Sequence, residues 1–340
     1  MIMKAFSITI LSSVALLSGC DKTAKIPEPS AKAQLQSPLQ TIKIGYSDWP
    51  GWVAWQVAIE KGWFKEAGVD VEFKWFDYSA SMNAFAANQL DAISISNGDN
   101  LVIAAGGTRG MMIMATDYSA GNDVIIAKPG IKTVADLKGK TIAVEKGLVD
   151  HNLLATAIHD ANIMEQEVKL INALTNELPQ VFASPDVDAI AVWQPVANQA
   201  LKSVAGAKII YSSKDKPGLI YDTLTVNMSH LARHPEQWKK IIQVWDRTVH
   251  YIQDPSTKDD ALKIMAKRVG VDPKQYAQFI EGTHLLDLKA NQAVFKASNG
   301  LQSIYGSSYH VNQFNFNNGV YSTKVDVNGL VYPKLLESFP

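Results

Sequence analysis

The feature that most constrains this chain is an internal repeat without a gap. Phe85-Ala-Ala-Asn-Gln-Leu-Asp-Ala-Ile-Ser-Ile95 is matched by Phe182-Ala-Ser-Pro-Asp-Val-Asp-Ala-Ile-Ala-Val192, 97 residues later. Both read F-A-x-x-x-[LV]-D-A-I-[SA]-[IV]: a helix end, a turn, then small and β-branched residues suited to a buried strand. A weaker echo at nearly the same offset sets Ile42-Lys-Ile-Gly-Tyr46 against Thr141-Ile-Ala-Val-Glu145, each a β-run opening a βα unit. A chain of 340 residues that repeats a strand–helix unit in this way folds as two lobes of similar design.

The rest of the chain fits an α/β alternation. Strands are expected at 41–46, 69–75, 91–96 and 111–116, with helices at about 52–61 (stopped by Gly62), 79–88 and 99–105 between them. The run 124–127 and the stretch 133–144 open the second lobe, whose strands continue at 168–171, 189–192 and 208–211. Near Tyr221 to Val226 the chain returns to the first lobe. From Pro235 onward the pattern is helical. Trp238, Ile241, Ile242, Trp245, Val249 and Ile252 recur at helical spacing and mark a core-facing side. Helices are also expected at 261–269, 274–281 and 288–297.

Composition excludes several function classes. Lys+Arg is 32 and Asp+Glu is 33, so no basic field exists to hold nucleic acid by its phosphates. The single cysteine, Cys20, cannot form an intramolecular disulfide, a thiolate metal cluster or a CxxC pair. No HxH, HExxH, GxSxG, P-loop or GxGxxG motif occurs, so neither a metal nor a cofactor is expected.

The position of Cys20 carries more information than its number. A basic start, Met1 to Lys4, precedes fifteen uncharged residues, Ala5 to Gly19, which suit a secretory h-region and fall short of a spanning helix of ~20 residues. Leu17-Ser18-Gly19-Cys20 resembles the bacterial lipobox, in which Cys20 becomes the lipidated first residue. Asp21 resembles an inner-membrane retention signal. The following stretch to Gln40, with Pro27, Pro29 and Pro38, reads as a tether. The expected organisation is a signal peptide at 1–19, a lipid-anchored tether at 20–40, lobe 1 at 41–123 and 226–340, and lobe 2 at 124–225.

From residue 41 to about 335 the chain resembles the solute-binding proteins of bacterial ABC transporters, in the group covering nitrate, sulfonate, taurine and thiamine-precursor uptake. The residues carrying the resemblance are Ile44-Gly45-Tyr46, the run Glu60-Lys-Gly-Trp-Phe-Lys-Glu-Ala-Gly-Val-Asp-Val-Glu72, Asp136-Leu-Lys-Gly-Lys-Thr-Ile-Ala-Val144, and the paired Leu90-Asp-Ala-Ile and Val187-Asp-Ala-Ile. Asp48-Trp-Pro-Gly-Trp52, Gly147-Leu-Val-Asp-His151 and Pro217-Gly-Leu-Ile-Tyr-Asp222 look most like a branch labelled as urea-type transporters. The resemblance implies a two-lobed periplasmic-binding-protein fold of type II-like form, each lobe a mostly parallel sheet flanked by helices, with a helical C-terminal segment. It also implies a monomer anchored by lipid on the periplasmic side of the inner membrane, with ABC permease and ATPase subunits as partners and a small-molecule ligand between the lobes.

In such folds ligands sit beyond the carboxyl ends of strands, where helix N-termini offer free N–H groups. The candidate ligand residues are therefore Asp48, Trp49, Trp52, Asn97, Asp99, Asp117, Tyr118, Glu145, Asp150, His151, Glu177, Trp193, Gln194 and Asp222. Asp48 could instead cap the helix near Pro50, Asp99 sits where an acid stabilises a helix dipole, and His151 could be a structural hydrogen-bonder. Acids dominate this set, whereas a sulfonate or nitrate site calls for Arg, Lys or bare helix N-termini. The expected ligand is a small donor-rich solute, neutral or cationic, such as urea, an amidine, a guanidinium compound or an amine. The alternatives are a small anion such as taurine, an alkanesulfonate or nitrate, and an enzyme resembling thiamine-pyrimidine synthases. The enzyme reading is disfavoured because those enzymes carry a cysteine-rich motif and this chain has only Cys20.

Overall fold

The computed structural model describes residues 41–340. The expected signal peptide, Cys20 and the tether lie outside the described residues.

Eleven strands form two sheets. The first contains β1 (Ile42–Tyr46), β2 (Val71–Trp75), β3 (Ala92–Ser96), β4 (Gly110–Ser119), β10 (Tyr221–Asn227) and β11 (Thr283–Leu285), in the order β11-β4-β10-β3-β1-β2. The second contains β5 (Asp123–Ala127), β6 (Thr141–Val144), β7 (Lys169–Asn172), β8 (Ala189–Trp193) and β9 (Lys208–Ser212), in the order β7-β6-β8-β5-β9.

The sequence repeat is a topological repeat. β2-β1-β3-β10-β4 in one sheet corresponds strand for strand to β7-β6-β8-β5-β9 in the other. The repeated segments supply the interior strands β3 and β8, every residue of which is buried, and each is preceded by a fully buried phenylalanine, Phe85 or Phe182. In each sheet the two neighbouring pairs of the βαβ unit are parallel, β1 with β2 and β3, β6 with β7 and β8.

The sheets are more mixed than the expected mostly parallel arrangement. β10 runs antiparallel to β3 and β4, and β5 antiparallel to β8 and β9. The physical reason is connectivity: β5 and β10 are the strands on which the chain crosses from one sheet to the other, so each enters from the opposite end. β10 lies in the first sheet from Tyr221, ahead of the return expected at residue 226.

The helix Pro235–Gln253 buries Trp238, Ile241, Ile242, Trp245, Val249 and Ile252, as its spacing predicts. Trp245 packs against Trp55 with ring centroids 4.5 Å apart and tilted by 53°, and donates its indole N–H to the Leu286 carbonyl at 2.9 Å. Gly62, at φ 71°, ends the first helical run in the left-handed region, as a glycine stop should. The expected helix at 288–297 stops at Val294. The helix Ile304–Asn317 and the short β11 were not expected from the pattern. The face that the helix buries mixes Ile304, Tyr305 and Val311 with Gly306, Ser307, Ser308, Asn312 and Asn315, so it leaves no continuous hydrophobic stripe to read. Among the described residues no helix is long and apolar enough to cross a membrane.

Candidate functional site

The carboxyl ends of β1, β3, β6 and β8 converge between the sheets. The offset of the repeat makes Ser96, at the end of β3, equivalent to Trp193, at the end of β8. Across the ladder, Asp222 is the register partner of Ser96 and Asp123 is the register partner of Trp193. The repeat therefore sets one aspartate from each lobe at corresponding places on the cleft wall.

The turn after β1 delivers two tryptophans, Trp49 and Trp52, both buried, with ring centroids 6.4 Å apart. Trp49 Nε1 donates to Asp117 Oδ1 at 2.9 Å, and Thr116 Oγ1 donates to Asp117 Oδ2 at 2.8 Å. Tyr78 opens the helix after β2 and lies 5.2 Å from Trp52 and 5.3 Å from Trp193, edge-on to the latter at 88°. Its phenol donates to Asp99 Oδ2 at 2.6 Å. Trp49, Trp52, Tyr78 and Trp193 thus form an aromatic chamber, completed by Ser96, Asp123, Val149, Ile220 and Asp222. Its volume is about 10 Å³, so the walls nearly meet. A vestibule of about 170 Å³ adjoins it, shares Tyr78 and Trp193, and is lined by Asp48, Asp77, Glu145, Thr175 and Asn176. Two larger grooves, of about 600 and 610 Å³, lie elsewhere and contain none of these acids.

The electrostatics are one-sided. Among the described residues no Lys or Arg lines the chamber or the vestibule. Burial raises the Asp99 and Asp117 carboxyls to about 7, and the Asp48 and Asp123 carboxyls to about 6. Asp150 and Asp222 are pushed up further, first by burial and then by neighbouring carboxylates, Asp123 beside Asp150 and Asp117 beside Asp222. Neither oxygen of Asp150 meets a hydrogen-bond donor among the described residues, nor does Asp123 Oδ2. The indole nitrogens of Trp52 and Trp193 likewise find no acceptor there. Unpartnered buried polar groups are costly and uncommon, and such groups gathered around one cavity are a signature of a site completed by a ligand.

Of the candidates, Asp48, Trp49, Trp52, Glu145, Trp193 and Asp222 line the chamber or the vestibule, while Asp99, Asp117 and Asp150 are buried outside that lining and act on residues that form it, Asp99 on Tyr78, Asp117 on Trp49 and Asp150 on Asp123. Asp48 does not cap the helix at Pro50: the N-cap is Trp49, and Asp48 lines the vestibule with Trp193. Asp99 is not the cap either. Ser96 caps that helix by accepting the Asp99 N–H at 3.0 Å, which leaves the Asp99 carboxylate to Tyr78. Glu145 joins the lobes, accepting from Thr175 Oγ1 at 2.8 Å and from Ser79 Oγ.

The remaining five candidates are engaged elsewhere. Asn97 is saturated, donating to Ser307 and Ser308 at 3.1 and 3.0 Å and accepting the Tyr221 N–H. Tyr118 stacks on His284 at 4.6 Å. His151 accepts the Gly147 N–H at 3.0 Å and faces Glu165 at 3.3 Å. Exposed Glu177 caps locally, and Gln194 accepts the Asn198 N–H at 3.1 Å. Two residues of the site were not anticipated, Tyr78 and Asp123. Tyr78 was reachable by the same strand-end rule applied after β2. Asp123 stands at the start of a strand, where that rule does not look.

The model of the NMT1/THI5-like family matches residues 49–279, more than half of the chain. The chain belongs to the NMT1/THI5-like family. Among relatives, the "Putative binding protein" of Brucella abortus is 27% identical over 235 residues, 68% of this chain and 72% of that one. The "Putative aliphatic sulfonates-binding protein" of Bacillus subtilis is 23% identical over 337 residues, covering 97% of this chain and 95% of its own length. The periplasmic aliphatic sulphonate binding protein SsuA of Escherichia coli superposes with a TM-score of 0.71 at 19% identity, over 89% of this chain and 100% of that one. The desulfurization enzyme DSZB superposes with a TM-score of 0.63 at 15% identity over 88% of this chain and 98% of its own. The fold therefore serves both binding proteins and an enzyme, and function must be argued from the site.

Proposed function

We propose that this protein is the extracytoplasmic solute-binding component of an ABC importer, and that its cleft takes a small nitrogen-rich organic cation. The observation that carries the ligand reading is the buried, unpartnered Asp123 Oδ2 on the wall of an aromatic chamber that no base lines among the described residues, with the equally buried and donor-free Asp150 carboxyl acting on it. A guanidinium, amidinium or ammonium group supplies the N–H donors and the positive charge these groups lack, and its flat or cationic part is held by the tryptophan faces. The ligand sits where the vestibule meets the chamber, against Tyr78 and Trp193, which line both.

The relatives' names favour a second reading, sulfonate or taurine. A sulfonate at this place would face Asp48, Glu145, Asp123 and Asp222 with no Arg or Lys among the described lining residues to answer it. An enzymatic role is disfavoured by the cysteine count: Cys20 is the sole thiol and precedes the residues matched to the family. Export, lipid attachment at Cys20, a periplasmic location and permease and ATPase partners complete the proposal. They rest on the N-terminal pattern and on the family.

Mass spectrometry of the small molecules that co-purify with the intact protein tests it. The expected finding is a nitrogen-rich cation at near-stoichiometric amount. A sulfonate at that amount would overturn the ligand reading.

A further inference from the structure

Cation capture explains why the acids are present. It leaves open what balances them when no cation is bound. Two carboxyl pairs face the cleft, one from each lobe. Asp117 and Asp222 are direct cross-strand partners on β4 and β10, with 0% and 3% of their surface exposed. Asp123, on β5, and Asp150, on the helix Val149–Asp160, act on one another, and each is 2% exposed. Neighbouring buried carboxylates repel, and they coexist most readily when one of them carries a proton.

The two pairs also act on each other across the cleft. Asp123 raises both Asp117 and Asp222, and Asp99 raises both Asp150 and Asp222. Glu145 adds its charge to Asp99 and Asp150 from the end of β6, and Asp48, on the β1 turn, lines the adjoining vestibule. Asp77, also on the vestibule wall, raises Asp48, and the other titratable groups facing these acids are phenols, Tyr78 beside Asp99 and Tyr276 beside Asp48 and Asp117. The nearest histidine, His151, is turned away to Glu165. No Lys or Arg is among the groups that act on these acids.

We infer that like charge on the two walls keeps the unliganded clamp open, and that the lobes close only when a bound cation, or protons taken up by the Asp117–Asp222 and Asp123–Asp150 pairs, neutralises the cleft. The inference rests on the cation reading above. In the open cleft each carboxyl is solvated and ionises as an ordinary aspartate. In the closed cleft it is dry and surrounded by its own kind, so closure without a cation must bring protons with it. The direction follows by linkage: the closed form binds more protons than the open form, so acid favours closure and alkali favours opening. The device discriminates as well as gates. A neutral isostere such as urea can fill the same donor geometry but cannot relieve the repulsion at alkaline pH.

Small-angle scattering of the intact protein at pH 5 and pH 8, with and without guanidinium chloride and with urea as the neutral control, tests the inference. At pH 8 the unliganded protein is expected to be expanded, guanidinium to compact it, and urea at equal concentration to leave it expanded. At pH 5 the unliganded protein is expected already to have the radius of gyration of the guanidinium-saturated form. Asp123→Asn is expected to move the compaction to higher pH. An unliganded radius of gyration that is the same at both pH values, with guanidinium still bound by calorimetry, overturns the gate and leaves the cation reading standing. No calorimetric binding of guanidinium, acetamidinium or methylammonium at pH 8 overturns both.

Discussion

The phenol of Tyr78 donates a 2.6 Å hydrogen bond to the carboxylate of Asp99, and both side chains are buried between the lobes. The two residues begin or lie early in helices that follow different strands, β2 and β3. Their bond fixes the ring that touches Trp52 on one side and Trp193 on the other. Tyr78→Phe keeps the ring and removes the donor. Hydrogen bonds to charged groups are worth about 1.5–3 kcal/mol, so guanidinium affinity is expected to fall by roughly 10- to 150-fold, measured by isothermal titration calorimetry. An unchanged affinity would show that this bond does not shape the site.

Trp193 lines both the chamber and the vestibule, and its indole nitrogen has no acceptor. If it supplies a π face to a cation, Trp193→Leu should weaken guanidinium binding by about 0.5–2 kcal/mol while preserving apolar bulk. The same substitution should affect binding of neutral urea less. Equal losses for the two ligands, read in parallel titrations, would mean that the tryptophan acts by shape alone.

Gly51 carries a purely steric prediction. A Cβ at this residue would stand 2.0 Å from Asp117 Oδ2, so any side chain displaces the carboxylate that Trp49 holds. Gly51→Ala is expected to cost about 1–3 kcal/mol of folding stability. Urea denaturation is the measurement, and a midpoint identical to the parent would contradict the packing described.

Stability should depend on pH in a window set by the cleft. Asp99 and Asp117, at about 7, and Asp48 and Asp123, at about 6, are raised above their unfolded value of 3.8. The folded state therefore holds more protons than the unfolded state, and the associated stability is lost as pH rises through about 6 to 7. Acids with lowered values, such as Asp136 and Asp160, act in the opposite sense and below the unfolded value, outside this window. Differential scanning calorimetry should show the unliganded protein melting at lower temperature at pH 8 than at pH 5. Guanidinium should restore more at pH 8.

Much of the architecture was legible because burial writes itself into periodicity. Phe85 and Phe182 mark equivalent helix ends, and the strands they lead to are interior in both sheets. The stripe from Trp238 to Ile252 packs as spaced. The helix Ile304–Asn317 was not legible, since Gly306, Ser307, Ser308, Asn312 and Asn315 interrupt the apolar signal of Ile304, Tyr305 and Val311 on its buried face. At the site, strand-end position located the acids but not where each side chain turns. Asn97 and Ser96 are neighbours at one strand end, yet Asn97 is consumed by Ser307, Ser308 and Tyr221, while Ser96 caps a helix and borders the chamber. Asp123 escaped notice because the antiparallel direction of β5 brings a strand start, rather than a strand end, to the cleft.

The central claim is that the cleft selects positive charge, and calorimetry at pH 8 on the intact protein tests it most directly. Guanidinium and taurine are titrated separately into the same preparation. Saturable one-to-one binding of guanidinium with no heat from taurine is the predicted result. Tight taurine binding with no response to guanidinium would contradict the account.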